Sequence, residues 1–434
     1  MSALGAALLL FGLFFLLLFA SVPISIAIGV SSFVTIVAVL GWSDATFILG
    51  QQMTGGVESF PLLAIPLFIL AGNIMNSGGI ARRLIDLALV IVGRVPGSLA
   101  HTNVVANMLF GALSGSAVAS AAAIGGTLHR RQDEEGYDPA FSTAVNISSA
   151  STGLLIPPTT AAIVYSTIAG GVSVSALFMA GYIPGILMGL VVIAVATAIA
   201  LRQGLRGGEG VGIRQGLIVL LRAIPSLLLI IIVVGGIVAG VFTATEGAAV
   251  AVVYCLVLSL IYRALNREAI ARIIRDTVSA TGVVMLLVAA SSAMSWIMAF
   301  SGIPGAITDA MLSVASSGPV VIALMLIVLL AVGTFLDITP AILIFTPIML
   351  PIAESVGMDP VHFGMVLIMA MCIGTMTPPV GSVLFVATGI TGVSIERVVP
   401  RLLPFFAALI ALLILIAYVP ALSLWLPGLT GSLE

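Results

Sequence analysis

Long apolar segments with almost no charge recur from one end of this chain to the other. Of its 434 residues, 61% are hydrophobic and 7% are charged, whereas soluble domains carry roughly 25% charged residues. Such a chain folds in lipid, where every backbone N–H and C=O needs an internal partner, and helices supply one. The balance of 15 basic and 17 acidic residues leaves no basic face for nucleic acid. The sequence therefore predicts an all-α polytopic protein in a lipid bilayer.

Ten segments are apolar over the ~20 residues that a membrane-spanning helix requires. Two further apolar stretches, 98–128 and 319–351, are interrupted near the middle by glycine and polar residues, at Gly111 to Ser116 and at Gly333 to Thr339. We predict that both stretches are re-entrant hairpins, which enter and leave the membrane on the same side. The ten predicted spans are 4–22, 24–40, 60–79, 140–170, 173–201, 217–240, 244–262, 277–302, 361–391 and 402–426.

The arginines test this assignment, because basic residues in short loops face the cytoplasm. All basic residues are arginine, and with two hairpins and ten spans all of them fall on one side. If either hairpin were a full span, the loops beyond it would face the wrong side. Both termini are then predicted to be periplasmic. The arginines are Arg82, Arg83, Arg94, Arg130, Arg131, Arg202, Arg206, Arg214, Arg222, Arg263, Arg267, Arg272, Arg275, Arg397 and Arg401.

The two halves of the chain match weakly at a shift of about 221 to 223 residues. Gly153–Pro158 corresponds to Gly374–Pro379, and one interrupted stretch corresponds to the other. The loop after the first stretch, HRRQDEEGYD, contains two arginines, whereas its counterpart IAESVGMD contains none, so the two loops should face opposite sides. We predict two inverted repeats, 1–212 and 213–434, an arrangement typical of secondary transporters with a binding site at the bilayer midplane.

Each half also has a proline pair inside an apolar segment: Pro157–Pro158 within 140–170 and Pro378–Pro379 within 361–391. Proline removes a donor and disfavours helix at the preceding residue, so both segments are predicted to be broken helices. The freed carbonyls can ligate Na⁺, and the helix N-termini at the hairpin tips favour an anion. Simple proline kinks and close helix packing at the glycines are the alternative interpretations. Hydroxyls at the tips are Ser114, Ser116, Thr334 and Thr339.

Four segments resemble the large membrane subunit of tripartite ATP-independent periplasmic (TRAP) transporters. They are FGALSGSAVASAAAIG (110–125), STGLLIPPTTAAIVYS (151–166), VGTFLDITPAILIFTPIMLP (332–351) and GTMTPPVGSVLFVATGITG (374–392). The resemblance implies an elevator-type transporter of the ion-transporter superfamily that imports a small organic acid with sodium across the bacterial inner membrane. It also implies two partners, a soluble periplasmic binding protein and a small membrane subunit, here expected as a separate chain. The chain departs from the family at Ser120, where an acid is usual, and at Ile338 and Pro340.

The same resemblance nominates site residues. The transport domain would be 98–171 plus 319–391, and the remaining helices would form the scaffold. One sodium site would use Gly333, Gly374, Thr377 and Val380. The internal repeat then nominates a second site at Gly111, Ser114, Gly153, Ile156 and Thr159. The substrate would sit between the two hairpin tips, and its candidate residues are Ser116, Asp337, Thr339, Pro157 and Pro378.

Asp337 is the one acid within the second predicted hairpin. A carboxylate at membrane depth costs free energy, so such a residue usually has a function. It could instead cap the helix that follows, and the sequence leaves both roles open.

An intramembrane aspartyl protease needs a second acid at matching depth, and an ATP-driven pump needs the lysine of a Walker A loop, so no enzyme is predicted. A passive channel is also disfavoured, because hairpins that enter from opposite sides form a closed site with two gates instead of a continuous pore. A sodium- or proton-coupled carboxylate carrier without a binding protein is the alternative function.

Overall fold

A computed structural model describes residues 1–432 except Arg94, Arg206, 209–211, 315–316 and Pro379. Every regular element in this described part is helical, which confirms that the protein is all-α. Seven helical segments in it are long and apolar enough to cross a membrane. Arg94 and Arg206 of the orientation argument, and Pro379 of the second proline pair, lie outside the described residues.

Ten α-helices form the first half of the chain. They are α1 (Ala3–Phe19), α2 (Ile24–Leu40), α3 (Trp42–Val57), α4 (Ala64–Ser77), α5 (Ile80–Val92), α6 (Ser98–Ser114), α7 (Ala117–Glu134), α8 (Pro139–Ala150), α9 (Thr160–Ala169) and α10 (Val174–Arg202). Two short 3-10 turns, Phe60–Leu63 and Ser151–Leu154, precede α4 and follow α8.

Ten more α-helices form the second half. They are α11 (Ile213–Val238), α12 (Ala244–Ile261), α13 (Arg267–Phe300), α14 (Ile303–Val314), α15 (Gly318–Gly333), α16 (Ile338–Ser355), α17 (Pro360–Gly374), α18 (Ser382–Thr391), α19 (Ile395–Tyr418) and α20 (Ala421–Leu429).

The predicted span 402–426 is wrong, because two helices occupy this region. α19 begins earlier, at Ile395, and ends at Tyr418, and α20 begins at Ala421. Pro420 lies between them and lacks an N–H, and the residue before it, Val419, has φ −122° and ψ 82°, outside the helical region as expected before proline. The apolar run is continuous, so hydropathy alone did not reveal the break.

Two scaffold helices also differ from the prediction. α3 was not predicted, because Ser43, Asp44, Gln51 and Gln52 lower its hydropathy, yet it packs against α13. α13 begins ten residues before the predicted span 277–302 and has 34 residues, about 51 Å at 1.5 Å per residue. Its counterpart in the first half is not continuous, since the 3-10 turn that contains Pro61 separates α3 from α4.

Similar local structures recur in the two halves. α8 and α17 both begin with an Asp–Pro pair, and Asp138 and Asp359 each accept a hydrogen bond from the backbone N–H two residues ahead, at 3.1 and 2.8 Å. α5 and α14 both follow a glycine in the left-handed region, Gly79 with φ 71° and Gly302 with φ 70°. These pairs are separated by 221 or 223 residues, in agreement with the shift found in the sequence.

Both predicted hairpins are helix–turn–helix units whose turns are shorter than the interruptions in the sequence. α6 ends at Ser114 and α7 begins at Ala117, with Gly115 in the left-handed region at φ 60°. α15 ends at Gly333 and α16 begins at Ile338. Within each unit the two helices pack against each other.

Both predicted helix breaks are present as well. In the first, α8 continues into the 3-10 turn Ser151–Leu154, and five residues, which include the cis Pro157–Pro158 bond, follow before α9. In the second, α17 ends at Gly374 and α18 begins at Ser382. Uninterrupted helices at these two places would have removed the basis for a midplane site.

A buried hydrogen-bond network joins α6, α7 and α8. Asn107 Nδ2 lies 2.7 Å from Asn103 Oδ1, 3.1 Å from Asn146 Oδ1 and 2.8 Å from Ser149 Oγ. Asn107 Oδ1 accepts a hydrogen bond of 2.7 Å from Ser120 Oγ. All five side chains are buried. Ser120, which stands where the resembled family has an acid, is therefore a member of a neutral polar network.

We expect Asn107→Leu to lower the thermal stability of the detergent-solubilised protein by several degrees. The substitution leaves buried polar partners unpaired, and each unpaired group costs about 1–3 kcal/mol. Thr127→Val is the control, because the exposed Thr127 hydroxyl bonds only to a carbonyl of its own helix. Equal melting temperatures of the two variants would contradict a stabilising role for the network.

Candidate functional site

A cavity of about 590 Å³ lies between the two hairpin tips. α4 and α13 complete its wall, so both hairpins and two helices outside them border it. Most of its polar side chains are small and neutral. On the hairpins they are Ser114, Ser116, Asp337 and Thr339; on α4 and α13 they are Asn73, Asn76, Asp276 and Ser279; from the breaks and the helices after them come Thr160, Thr375 and Ser382.

The predicted substrate residues divide into two groups. Ser116, Asp337 and Thr339 line this cavity, whereas Pro157 and Pro378 are not among the residues of its wall. Pro157 is buried and lies beside α10, with its Cδ 3.6 Å from the position that a Cβ on Gly181 would occupy. The structure therefore places the three hairpin residues together and the two prolines behind them, in the helix breaks.

Two carboxylates, Asp276 and Asp337, face the cavity, and no arginine is among its lining residues. Within the described part of the chain, neither carboxylate has an arginine or histidine nitrogen within 4.0 Å. Asp337 precedes α16 but makes no side-chain capping bond; instead it accepts a hydrogen bond of 3.2 Å from Ser382 Oγ at the start of α18. Of the two roles left open by the sequence, capping is not the one adopted.

Glycine backbones come into close contact where each hairpin meets a helix break. A Cβ on Gly374 would lie 2.5 Å from Gly333 Cα and 2.6 Å from Gly333 O, so no side chain fits there. Gly111 and Gly153 face each other in the same way, and a Cβ on either would overlap the Cα of the other. The sequence assigned both pairs to ion sites, and the structure brings the members of each pair together. Their role as ligands stays a prediction.

A second cavity, of about 90 Å³, lies beside the second tip and is lined by Gly333, Asp337, Val380 and Ser382, among others. Its volume exceeds the ~10–15 Å³ that one water requires. Val380 N donates to Thr334 O at 3.3 Å across its edge. Thr377 Oγ1 donates to Ile373 O at 2.7 Å, so its oxygen lone pairs stay available as acceptors.

The corresponding residues of the first half are engaged locally. Thr159 Oγ1 accepts a hydrogen bond of 3.2 Å from Ala161 N and so caps α9, and Ser114 Oγ lies 3.4 Å from Ser116 O. Ile156 is buried beside Gly185 of α10. In the first half the two candidate hydroxyls are therefore engaged locally, and Ile156 stands at the position that corresponds to Thr377.

The two helix breaks also touch each other. Ser151 Oγ in the first break lies 3.3 Å from Thr375 Oγ1 in the second, and Thr375 in turn donates to Cys372 O at 2.8 Å. This contact joins residues that are 224 positions apart in sequence. The breaks and the tips therefore form one central region.

Sequence reasoning did not identify the cavity residues on α4 and α13, because 60–79 and 277–302 were interpreted as ordinary spans and Asp276 lies one residue before the second of them. A signal was present: Asn73 and Asn76, and likewise Asp276 and Ser279, are three residues apart and so share one face of an apolar helix. Asn73 Nδ2 also donates to Thr277 Oγ1 at 2.9 Å, which ties the two helices together beside the cavity.

The sequence pattern of the DctM component of tripartite ATP-independent periplasmic transporters matches residues 11–422. The chain belongs to the DctM family. The protein YgiK of Salmonella typhimurium is 52% identical over 420 residues, which are 97% of each chain. The C4-dicarboxylate TRAP transporter large permease protein DctM of Rhodobacter capsulatus is 34% identical over 440 residues, covering 98% of this chain and 100% of that one.

Among solved structures, the YdaH transporter of Alcanivorax borkumensis is similar with a TM-score of 0.59, at 15% identity, over 87% of this chain and 88% of that one. At this identity the likeness shows a shared fold. Membership of the DctM family confirms the resemblance seen in the four sequence segments. This multi-pass membrane chain is therefore the large permease subunit of a TRAP transporter and not an enzyme. The tripartite design of the family implies a substrate-binding protein and a small membrane subunit as its partners.

We expect Gly374→Ala to remove most substrate uptake in proteoliposomes, because the added methyl group would force α17 away from Gly333 at the edge of the second-tip cavity. Gly389→Ala is the matched control, since a Cβ at Gly389 would meet no atom within 4 Å. Both variants should be monodisperse on size-exclusion chromatography. Normal uptake by Gly374→Ala would show that the close approach is not required.

Proposed function

We propose that this TRAP permease subunit carries a small organic acid into the bacterial cell together with Na⁺, by an elevator movement. The observation that supports this most strongly is a polar cavity held between two hairpin tips and bordered by two broken helices. Non-helical backbone survives at membrane depth only where protein lines a cavity or an ion satisfies it. The relative named for C4-dicarboxylates supports an organic acid as the substrate.

The charges around the cavity favour coupling to a cation. An organic acid that enters beside Asp276 and Asp337 adds a third negative charge in a region without lining arginines. Both carboxylates are exposed to the cavity, and like charges that lie near one another repel, so a co-bound cation would stabilise the loaded state. Sodium suits oxygen ligands, and the second break offers unwound carbonyls and the Thr377 hydroxyl as candidates. The proposed sites keep the residues named from the sequence, Gly333, Gly374, Thr377 and Val380, with the first-half counterpart at Gly111 and Gly153.

The proposed elevator uses two inverted repeats, 1–212 and 213–434. The recurring Asp–Pro caps and left-handed glycines support the repeat, and the unequal arginine content of the equivalent loops supports the inversion. The moving domain would comprise 98–171 and 319–391, with both hairpins and both broken helices. α5 and α14 would link it to the scaffold, because each lies directly between a scaffold helix and a hairpin in the chain.

The proposed assembly has two partners besides the substrate. A periplasmic binding protein would deliver the acid, and a small membrane subunit would assemble with the scaffold. With all arginine-bearing loops on the cytoplasmic side, both termini of this chain would face the periplasm.

We expect Thr377→Val to raise the sodium concentration for half-maximal uptake by about tenfold, because the loss of one oxygen ligand worth ~1.4 kcal/mol corresponds to that factor. Valine keeps the volume and removes the hydroxyl. Thr167→Val is the control, since the Thr167 hydroxyl makes the same type of bond to a carbonyl four residues back, in α9. An unchanged sodium dependence of Thr377→Val would count against this site.

We expect flux into liposomes that contain this chain and its small subunit to depend on the loaded binding protein. Free substrate alone, at the same concentration, should give only background uptake. Replacing external sodium by potassium should also stop the flux. Rapid transport of free substrate would instead support the alternative function, a coupled carboxylate carrier that works without a binding protein.

A further inference from the structure

Another polar cavity, of about 320 Å³, is lined by residues outside both hairpins, and its charged residues are mostly basic. Gly79, Arg82, Arg83 and Asp86 of the α5 segment and Val219 and Arg222 of α11 form its wall. Three guanidinium groups therefore face one carboxylate. Within the described residues none of these four charged side chains forms an ion pair closer than 4.0 Å. The cavity wall carries a net charge near +2, which no ion pair among the described residues neutralises.

Arg83 is held in place beside this cavity. Its guanidinium carbon lies 3.3 Å from the centre of the Tyr262 ring, at the end of α12, a cation–π contact that fixes the side chain. One of its terminal nitrogens, Nη1, is buried and has no hydrogen-bond partner among the described residues. A buried donor without a partner is costly, so the site as built lacks an acceptor.

The start of α5 adds to the positive potential. Gly79 precedes this 13-residue helix and offers no side-chain cap, so the first-turn N–H groups have no side-chain acceptor. The partial positive charge of a helix N-terminus favours an anion. The N-terminus of α5 and the three arginines therefore both favour an anionic ligand.

Arg222 places the cavity at the lipid boundary. It lies nine residues into α11, about 13 Å from the helix start, in the middle of a lipid-facing apolar surface. Leu221 beside it is 57% exposed, and Ile224 is 37% exposed. A charge at this depth requires a partner or a polar cavity.

An apolar groove of about 700 Å³ adjoins the cationic cavity along the same two helices. It is lined by side chains of α5 and α11 together with Val105 and Leu109 of α6. Free phosphate could use the arginines but not this groove. A phospholipid can use both, with its phosphate at the guanidinium groups and an acyl chain in the groove.

We infer that this cavity and groove form a binding site for one anionic phospholipid. The phosphate accepts hydrogen bonds from Arg82, Arg83 and Arg222 and faces the first turn of α5, and it supplies the acceptor that Arg83 Nη1 lacks. A headgroup with net negative charge matches the cavity better than a zwitterionic one, because the net charge of the wall is positive. Basic pockets between membrane helices bind anionic lipids in this manner.

The test is native mass spectrometry of the purified, delipidated transporter titrated with phosphatidylglycerol, with phosphatidylcholine and with inorganic phosphate. The double variant Arg83→Gln/Arg222→Gln should bind phosphatidylglycerol roughly 25-fold more weakly, at ~1 kcal/mol per arginine. Arg272→Gln/Arg275→Gln removes the same charge from exposed positions of α13 and should bind like the unmodified protein. Arg83→Lys/Arg222→Lys keeps the charge and should recover most of the affinity, which separates loss of the site from misfolding.

Three results would overturn the inference. The Gln double variant could bind phosphatidylglycerol as tightly as the α13 control does. Inorganic phosphate could compete fully with the lipid, which would make this a site for free anions. The small membrane subunit could displace bound phosphatidylglycerol stoichiometrically, which would make the cavity a protein interface.

Discussion

Backbone groups that lose their helical partners inside a membrane must find others, and the centre of this protein is arranged around that requirement. In the second break, Val380 N reaches across to the carbonyl of Thr334, and in the first, Thr159 supplies the cap of α9. Glycine pairs allow the hairpins to approach the breaks closely enough for such contacts. The polar cavity is therefore a consequence of breaking helices in lipid and satisfying them at one place.

One cavity of the molecule is lined by acidic side chains and another by mostly basic ones. No arginine lines the central cavity with its two acids, while three arginines that form no ion pair with any described residue surround the cavity between α5 and α11. The first region would attract a cation beside a bound acid, and the second would attract an anion. The buried polar contacts among α6, α7 and α8 around Asn107 use small neutral groups, which cost no charge burial.

The sequence predicted the features that depend on local chemistry. Proline pairs, interrupted apolar stretches and the family motifs located both hairpins, both breaks and the three hairpin residues of the cavity. It did not predict Asn73 or Asp276, because a polar residue in an apolar helix shows no partner until tertiary packing places the cavity against it. The break at Pro420 was missed for a related reason: hydropathy averages over a window and does not register one absent donor.

The uninterrupted length of α13 has a mechanical consequence. It extends without a break from the charged residues Arg267 and Glu268 at its start to Asp276 in the cavity wall and beyond, whereas the equivalent path in the first half passes the turn at Pro61. A partner that binds the exposed beginning of α13 and displaces it would also displace Asp276, because the helix between them is continuous. A force on α3 would be absorbed at the turn before α4, so of the two equivalent paths only the continuous α13 would connect the membrane surface rigidly to the wall of the central cavity.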